Sequence, residues 1–430
     1  MKRLFTGISI LVFCCLTMQA GDVTTVSNFT SLSASQKASV TSVILNGTLS
    51  TTGNSDFRQM RDLACKLNRV NLASASCTAI PNNALFAMSS LKWLTLPSNC
   101  KTLGSNACYG CTSLRTVGPL PAALKSIGSN AFAGCPSLTS LSFAQNSQLV
   151  NIGSYAFSGD TALAGTLSLP DGVRLIRQGT FAGCKLIDAV VLPANLQDIE
   201  AQAFMGCSSM QSIHPGGLVV SIGASAFEGC SSLASFTMPR ALRRIESCAF
   251  KGCTALHGEV VLPPTFTTLE GGAFWKCSGI DSLSLPASLT SLPALCFAGC
   301  SALKVITLDA VVPPAAHPTA FKGVETQNCL LYVPQEAVES YRKAAVWKDF
   351  NIVGYTPAGV TSVDASTQLY VADGQLTLFC PAPKAAVTLY DAGGRLIKRG
   401  YCNDGKFVAA LPARGTYIVR VNSATYKIVY

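Results

Sequence analysis

Charged residues and histidines are scarce in this chain of 430 residues. Aspartate, glutamate, lysine and arginine together make up 13% of the sequence, and there are only three histidines. His214, His257 and His317 lie far apart, and none of them stands beside an acid and a nucleophile in a recurring pattern. Isolated histidines of this kind supply neither a set of metal ligands nor a catalytic triad. The sequence therefore predicts no catalytic site, no metal site and no cofactor.

Long hydrophobic runs are also missing beyond the start of the chain. Two basic residues open the sequence, and residues 8–16 form a short apolar stretch. This arrangement is typical of a secretory signal peptide, and the stretch is too short to span a bilayer. We predict a signal peptide over 1–20; a lipoprotein signal using Cys14 or Cys15 is the alternative, which the bulky residues in front of them disfavour. An exported protein without a transmembrane span is expected, on the outer cell surface or extracellular.

The net charge is weakly positive and dispersed. It is +10 at pH 7, and two of these charges belong to the predicted signal peptide. Nucleic-acid binding requires a denser basic patch, so no nucleic-acid partner is expected. The strongest basic cluster is a candidate contact for an anionic ligand, with a solvated edge as the alternative reading. It consists of Arg174, Arg177, Arg240, Arg243 and Arg244.

A repeat dominates the sequence. Residues 222–233 read IGASAFEGCSSL, and close copies recur on both sides at steps of 23 to 25 residues. Most copies place Ala-Phe before Gly-Cys, and a leucine followed by a short alternating apolar run comes after it. Alternation over four to six residues predicts a strand with one buried face. A unit this short cannot bury its own apolar side, so the units must stack into a solenoid.

The combination of Leu-x-x-Leu-x-Leu-Pro with Ile-Gly-x-x-Ala-Phe-x-Gly-Cys resembles the BspA-type leucine-rich repeats of bacterial surface proteins. The resemblance implies a mostly β repeat solenoid with short helical corners. We predict repeats over 85–325, an N-terminal cap over 21–84 and a C-terminal cap over 326–355. Two units depart from the pattern, because Cys108 replaces the phenylalanine and Asp160 replaces the cysteine. Neither change is expected to prevent the fold.

Cysteine fills one repeat position in eight units. Stacked strands lie about 4.8 Å apart, so these side chains are predicted to form a ladder inside the solenoid. Parallel, in-register side chains have poor geometry for disulfide bonds, which favours a column of buried, reduced thiols. The Cys-x-x-Cys spacing of Cys108 and Cys111 is similarly assigned to packing rather than to redox or zinc chemistry. The predicted ladder is Cys111, Cys135, Cys184, Cys207, Cys230, Cys253, Cys277 and Cys300.

The periodicity changes near residue 356. Several short alternating segments joined by glycine and Asn/Asp turns predict a small β-sandwich over 356–430. The motifs LYDAGGRL, LPARGTYIV and a terminal KIV occur in that order and resemble the C-terminal sorting domain of type IX secretion cargo. This resemblance implies passage through the outer membrane by the secretion machinery, often with later removal of the domain. Its motif residues are Asp391, Gly393, Gly394, Arg395, Gly415, Tyr417 and Lys427.

These features predict a non-enzymatic surface protein. Extended solenoid faces are suited to binding, and the expected partner is a host matrix or cell-surface protein, or a glycan. Adhesion is the theme that the resemblance implies. The alternative is a surface component that captures a glycan or peptide as nutrient. An enzyme hidden in the caps is the weakest hypothesis, because those regions contain no paired acids.

Overall fold

The computed structural model describes residues 23–53, 55–357, 368–372, 375–379, 385–392, 394–402, 406–412, 415–422 and 424–429. The predicted signal peptide lies outside these residues, and so does Gly393 of the sorting motif. From residue 23 to 357 the chain forms a mostly β solenoid, as the repeat predicted. The remaining strands form a second unit at its C-terminal end.

A small cap closes the N-terminal end of the solenoid. Phe29, Phe57 and Met60 are buried against the first repeats. The buried carboxylate of Asp56 accepts hydrogen bonds from the backbone nitrogens of Thr30 (2.9 Å) and Ser50 (2.8 Å), which fixes the loops around it. The cap contains the 3₁₀ turn Phe29–Ser31 and the helices Ala34–Ser39 and Asp56–Leu63.

Most turns of the solenoid contribute one strand to a parallel sheet that we call the front face. Its hydrogen bonding divides it into segments of five, three and nine strands, and the last segment continues into the C-terminal unit. Inward side chains of each strand are aliphatic and buried. The front strands are Val23–Val26, Ser42–Leu45, Arg69–Asn71, Trp93–Thr95, Thr116–Val117, Ala164–Ser168, Leu186–Val191, Ser212–His214, Gly258–Val261, Ile280–Leu285, Val305–Leu308, Leu330–Pro334 and Asn351–Pro357.

A second set of parallel strands, only two residues long, forms what we call the back face. In each strand the second residue of the pair packs inward, as Ile199 and Ile222 do. The back strands are Ala79–Ile80, Thr102–Leu103, Ser126–Ile127, Asn151–Ile152, Leu175–Ile176, Asp198–Ile199, Ser221–Ile222, Arg244–Ile245, Thr268–Leu269, Ser291–Leu292 and Ala315–Ala316.

The Ala-Phe pairs form the third side, a turn that we call the Phe corner. Nine phenylalanines stack there one above another, with ring centroids 5.1 to 5.6 Å apart and nearly parallel planes. The corner is a chain of turns rather than a helix. The stack consists of Phe132, Phe157, Phe181, Phe204, Phe227, Phe250, Phe274, Phe297 and Phe321.

The C-terminal cap ends this stack. Trp347 and Phe350 meet the ring of Phe321 edge-on, at 5.6 and 5.1 Å. The Trp347 indole nitrogen donates a hydrogen bond to the carbonyl of Pro314 (2.8 Å), which satisfies its buried N–H. The aromatic side chains of this cap therefore pack in the core. The cap contains the helix Val338–Lys343 and the 3₁₀ turns Thr326–Asn328, Gln335–Ala337 and Trp347–Asp349.

The C-terminal unit consists of two antiparallel sheets that share one apolar cluster. Leu376, Leu378, Val387 and Val419 lie fully buried in this cluster. The three-stranded sheet contains Gln368–Ala372, Gln375–Phe379 and Lys406–Ala410. The four strands that extend the front face are Ala386–Asp391, Leu396–Tyr401, Thr416–Val421 and Ala424–Val429.

We expect Gly153→Ala to lower the free energy of unfolding by about 1–3 kcal/mol, the usual cost of overpacking. A Cβ atom on Gly153 would overlap the backbone nitrogen of Ser129 in the preceding turn. Gly271→Ala is the control, since its Cβ would meet nothing closer than the Ala294 carbonyl at 3.4 Å. Chemical denaturation measures both. Equal stability of the two variants would contradict this account of the close turn-to-turn approach.

Candidate ligand-binding faces of the solenoid

The front face is uncovered between its third and eighth strands. Outward positions there include several hydroxyls, of which Thr166 and Ser168 are exposed to solvent. The same positions on the next two strands include Val191 and His214, both exposed. Parallel pairing in register aligns these side chains in columns across the turns. The result is a flat surface that offers polar groups at the spacing of stacked strands.

Trp93 is the aromatic residue of this open face. It pairs in register with Arg69, whose guanidinium carbon lies 4.8 Å from the centre of the indole ring. Trp93 and Arg69 are each half-buried, so part of the ring remains available to a ligand. A second cation–aromatic group lies on the Phe corner, where Lys251 and Lys276 approach Trp275 at 5.0 and 5.3 Å. The sequence interpretation did not single out Trp275.

The structure does not gather the five predicted arginines into one basic patch. Arg177 lies 3.8 Å from Glu200, measured from Nη1 to Oε1, and the Nε atom of Arg244 lies 3.4 Å from Oε1 of Glu246. Asp198 occupies the same register column as Arg244, two strands away. A shallow hollow of about 380 Å³ on the back face is lined by Asp198, Glu200, Arg244 and Glu246. Its charge is mixed, because Glu200 lies one turn after Arg177 and Glu246 follows Arg244 by two residues, and sequence reasoning overlooked both acids.

The other three arginines are exposed. Arg174 and Arg243 lie in the same column of the back face, three turns apart. Backbone hydrogen bonds through the two intervening turns connect them. Within the described residues, Arg174, Arg240 and Arg243 form no ion pair. They remain the members of the predicted cluster that can meet an anionic ligand.

The eight cysteines of the predicted ladder lie fully buried, and their thiols are free. Each Sγ donates a hydrogen bond to a backbone carbonyl of the preceding turn at 3.0 to 3.4 Å. Burial raises the pKa of Cys230 to about 12. The column runs through the turns that follow the Phe corner, not through strands. In the C-terminal unit, by contrast, Cys402 is disulfide-bonded.

The ladder contains one acid. Asp160 is fully buried; its Oδ1 accepts a hydrogen bond from the backbone nitrogen of Cys135 (2.8 Å), and its Oδ2 has no hydrogen-bond partner. Burial raises the pKa of Asp160 well above its ordinary value. Within the described chain, no cluster of histidine, cysteine and acidic side chains could hold a metal ion.

The sorting-motif residues that the structure describes lie where the C-terminal unit meets the solenoid. Asp391 and Arg395 form a turn closed by an ion pair, with Nε of Arg395 3.0 Å from Oδ2 of Asp391. Gly394 has a φ of +75° within this turn. The buried Tyr417 lies beside the turn on the neighbouring strand, and Gly415 lies in the loop before that strand. Lys427 is part of the last strand, in register with Pro357 of the solenoid.

These faces and the repeat geometry define a leucine-rich repeat protein. The family model for the BspA type leucine rich repeat region matches six copies over residues 22–139, 118–234 and 220–313, more than half of the sequence. The chain therefore belongs to the BspA-type leucine-rich repeat family. No curated protein matches the chain. In the part of the chain that the structure describes, no helix is long and apolar enough to cross a bilayer.

Solved structures of other bacterial proteins are similar to this chain. A leucine-rich repeat protein from Bacteroides ovatus is 22% identical, with a TM-score of 0.42, over 67% of this chain and 84% of that protein. A leucine rich cell surface protein from Faecalibacterium prausnitzii is 25% identical, with a TM-score of 0.41, over 65% of this chain and 83% of that protein. The pneumococcal vaccine antigen PcpA is 18% identical, with a TM-score of 0.42, over 74% of this chain and 85% of that protein.

Proposed function

We propose that this protein is exported to the outer cell surface or the medium and binds a host matrix or cell-surface protein, or a glycan. The open front face carries this proposal. Its outward side chains include several small hydroxyls held in register on a rigid sheet, with Trp93 beside the guanidinium of Arg69. Such a face offers ordered hydrogen-bonding groups without many charges to desolvate. No enzymatic role is proposed.

The C-terminal unit is assigned the role of a sorting-type β-sandwich. Its two antiparallel sheets share one core, and the turn of Asp391 and Arg395 matches the motif on which the resemblance rests. Under this proposal the unit engages the secretion machinery and is then removed. Fractionated cells and C-terminal mass spectrometry test it: we expect the protein on the outer surface without residues 357–430. A periplasmic protein with Tyr430 intact would contradict the sorting role.

We expect Trp93→Ala to weaken binding to an immobilised matrix protein or glycan by about tenfold or more, the loss typical of a central aromatic contact. Tyr109→Ala is the matched control, because Tyr109 is an exposed aromatic residue on the Phe corner, stacked on Phe86. Surface plasmon resonance with the full chain measures both. Equal losses of affinity in the two variants, or no loss in either, would show that the ligand does not contact Trp93.

The same assay separates the other candidates. Binding that falls with salt and with Arg174→Glu or Arg243→Glu, but not with Trp93→Ala, would assign an anionic ligand to the back face. Selective affinity for a soluble glycan or peptide, with none for matrix or cells, would favour nutrient capture.

A further inference from the structure

The front face changes character in its last turns. Outward side chains are exposed on the open strands, as at Val191 and His214. On the strands Ile280–Leu285 and Val305–Leu308, the outward residues Ser282 and Thr307 are instead buried, each with 1% of its surface accessible. Part of the solenoid therefore carries a front face that does not meet solvent.

The C-terminal unit covers this part of the face. Val305, Tyr332 and Tyr355 of the solenoid form an apolar cluster with Ile418 of the unit, and all four side chains are buried. Tyr390 of the unit also packs against the cluster. The two parts join as one sheet, since Thr356 and Pro357 pair in parallel with Tyr426 and Lys427.

The sequence of the covered strands fits this contact. One outward column runs from Ser284 through Thr307 to Tyr332 and Val353, so it becomes apolar and aromatic toward the C-terminal end. The matching column of the open face runs from Ser168 through Val191 to His214, so it does not become aromatic. Apolar side chains on an outward face indicate a surface that is built to be covered.

Ile418 is the complementary residue of the C-terminal unit. Its neighbours Tyr417 and Val419 are buried in the unit's own core, whereas Ile418 belongs to the cluster with the solenoid. Successive side chains of a strand point to opposite faces. Ile418 therefore points toward the solenoid, while the side chains on either side of it point into the core of the unit. The rim of the contact is polar: a hollow of about 300 Å³ is lined by Glu259 and Asp281 of the solenoid together with Asp391 and Arg395.

We propose that the front face of the last turns is an interaction surface whose occupant in the uncleaved chain is its own C-terminal unit. The unit closes this surface to other partners until it is removed, and the same contact places the turn of Asp391 and Arg395 against the solenoid. This inference deepens the proposed function and rests on it, because it assigns a regulation to the front face.

Tyrosine footprinting on the full chain tests the proposal. Hydroxyl radicals modify accessible tyrosines, and mass spectrometry gives the rate at each position. In the unaltered chain, Tyr332 should react much more slowly than the exposed Tyr109. In Ile418→Asp, and independently in Val305→Asp, we expect the rate at Tyr332 to rise by about tenfold or more, because a buried residue reacts only when its cover opens. Val191→Asp, the same kind of change on the open face, should leave that rate unchanged.

The buried Tyr417 and Tyr426 report whether the unit itself stays folded. Their continued protection together with a reactive Tyr332 would show undocking and support the proposal. If Ile418→Asp also exposes Tyr426, that variant has unfolded the unit. The rate at Tyr332 in Val305→Asp then tests the proposal. Tyr332 reacting as fast as Tyr109 in the unaltered chain, or staying protected in Val305→Asp, would overturn the proposal. No ligand is used, so this outcome is independent of the binding assay.

Discussion

Asp160→Cys is expected to raise the free energy of unfolding at pH 7 by about 2 kcal/mol, within the usual cost of a buried polar group without a partner. Asp160 is fully buried, and its Oδ2 makes no hydrogen bond. Cysteine is the residue that the ladder carries at this position in the neighbouring turns, for example Cys184. The substitution therefore removes a buried carboxyl group with one unpaired oxygen and restores the residue type that the neighbouring turns carry.

The pKa of Asp160 determines how this gain depends on pH. Burial raises it in the folded protein, whereas the unfolded chain titrates near the ordinary value of about 3.9. Below that value both states carry the proton. As the pH rises, the unfolded chain releases its proton first, so the folded state progressively loses stability until the pH passes its own pKa. The advantage of Asp160→Cys should be smallest near pH 3.5 and should grow as the pH rises.

Urea denaturation from pH 3.5 to 8 measures this difference. Asp171→Ser provides the control, because Asp171 is exposed in the next turn and its replacement should change stability by less than about 0.5 kcal/mol at every pH. A constant gap between Asp160→Cys and the unaltered protein, or one that shrinks with rising pH, would contradict the raised pKa.

Sequence reasoning predicted the solenoid because its chemistry repeats at fixed positions. Each Ala-Phe and Gly-Cys pair marks one turn, and stacking of like residues follows from the period alone. The same regularity indicated that the cysteines would align. It did not indicate the ion pairs of the arginines: Arg177 meets Glu200 of the next turn, and Arg244 meets Glu246, where glutamate replaces the glycine of the motif.

The docking of the C-terminal unit was also missed, although one signal was present. The strand Thr416–Val421 reads TYIVRV, and its apolar run lacks the alternation of a strand with one solvated face. A run of this kind indicates burial on both sides. The front-face residues Val305, Tyr332 and Val353 gave the matching signal, since they are apolar at outward positions. The periodicity of the solenoid sequence cannot show which of its surfaces the C-terminal unit contacts.

Phe227→Ala should destabilise the solenoid by about 3–5 kcal/mol, the range for truncating a large buried aromatic residue. Phe227 is fully buried and stacks between Phe204 and Phe250, at 5.5 and 5.1 Å, and it meets Phe236 edge-on at 5.3 Å. The turns above and below hold these rings at the spacing of the backbone, so they cannot collapse into the space that alanine leaves.

Phe86→Ala is the control for this effect, because Phe86 also stacks on an aromatic ring but is 39% exposed. Its loss should cost about 1 kcal/mol or less, near the value of an exposed aromatic pair. Denaturant unfolding followed by circular dichroism measures both variants. In a solenoid each turn contacts only its neighbours, so a central cavity should also make unfolding less cooperative. The slope of the unfolding free energy against denaturant concentration should then be lower. Equal losses in the two variants would mean that the stack contributes no more than surface contacts, and that the strands alone hold the turns together.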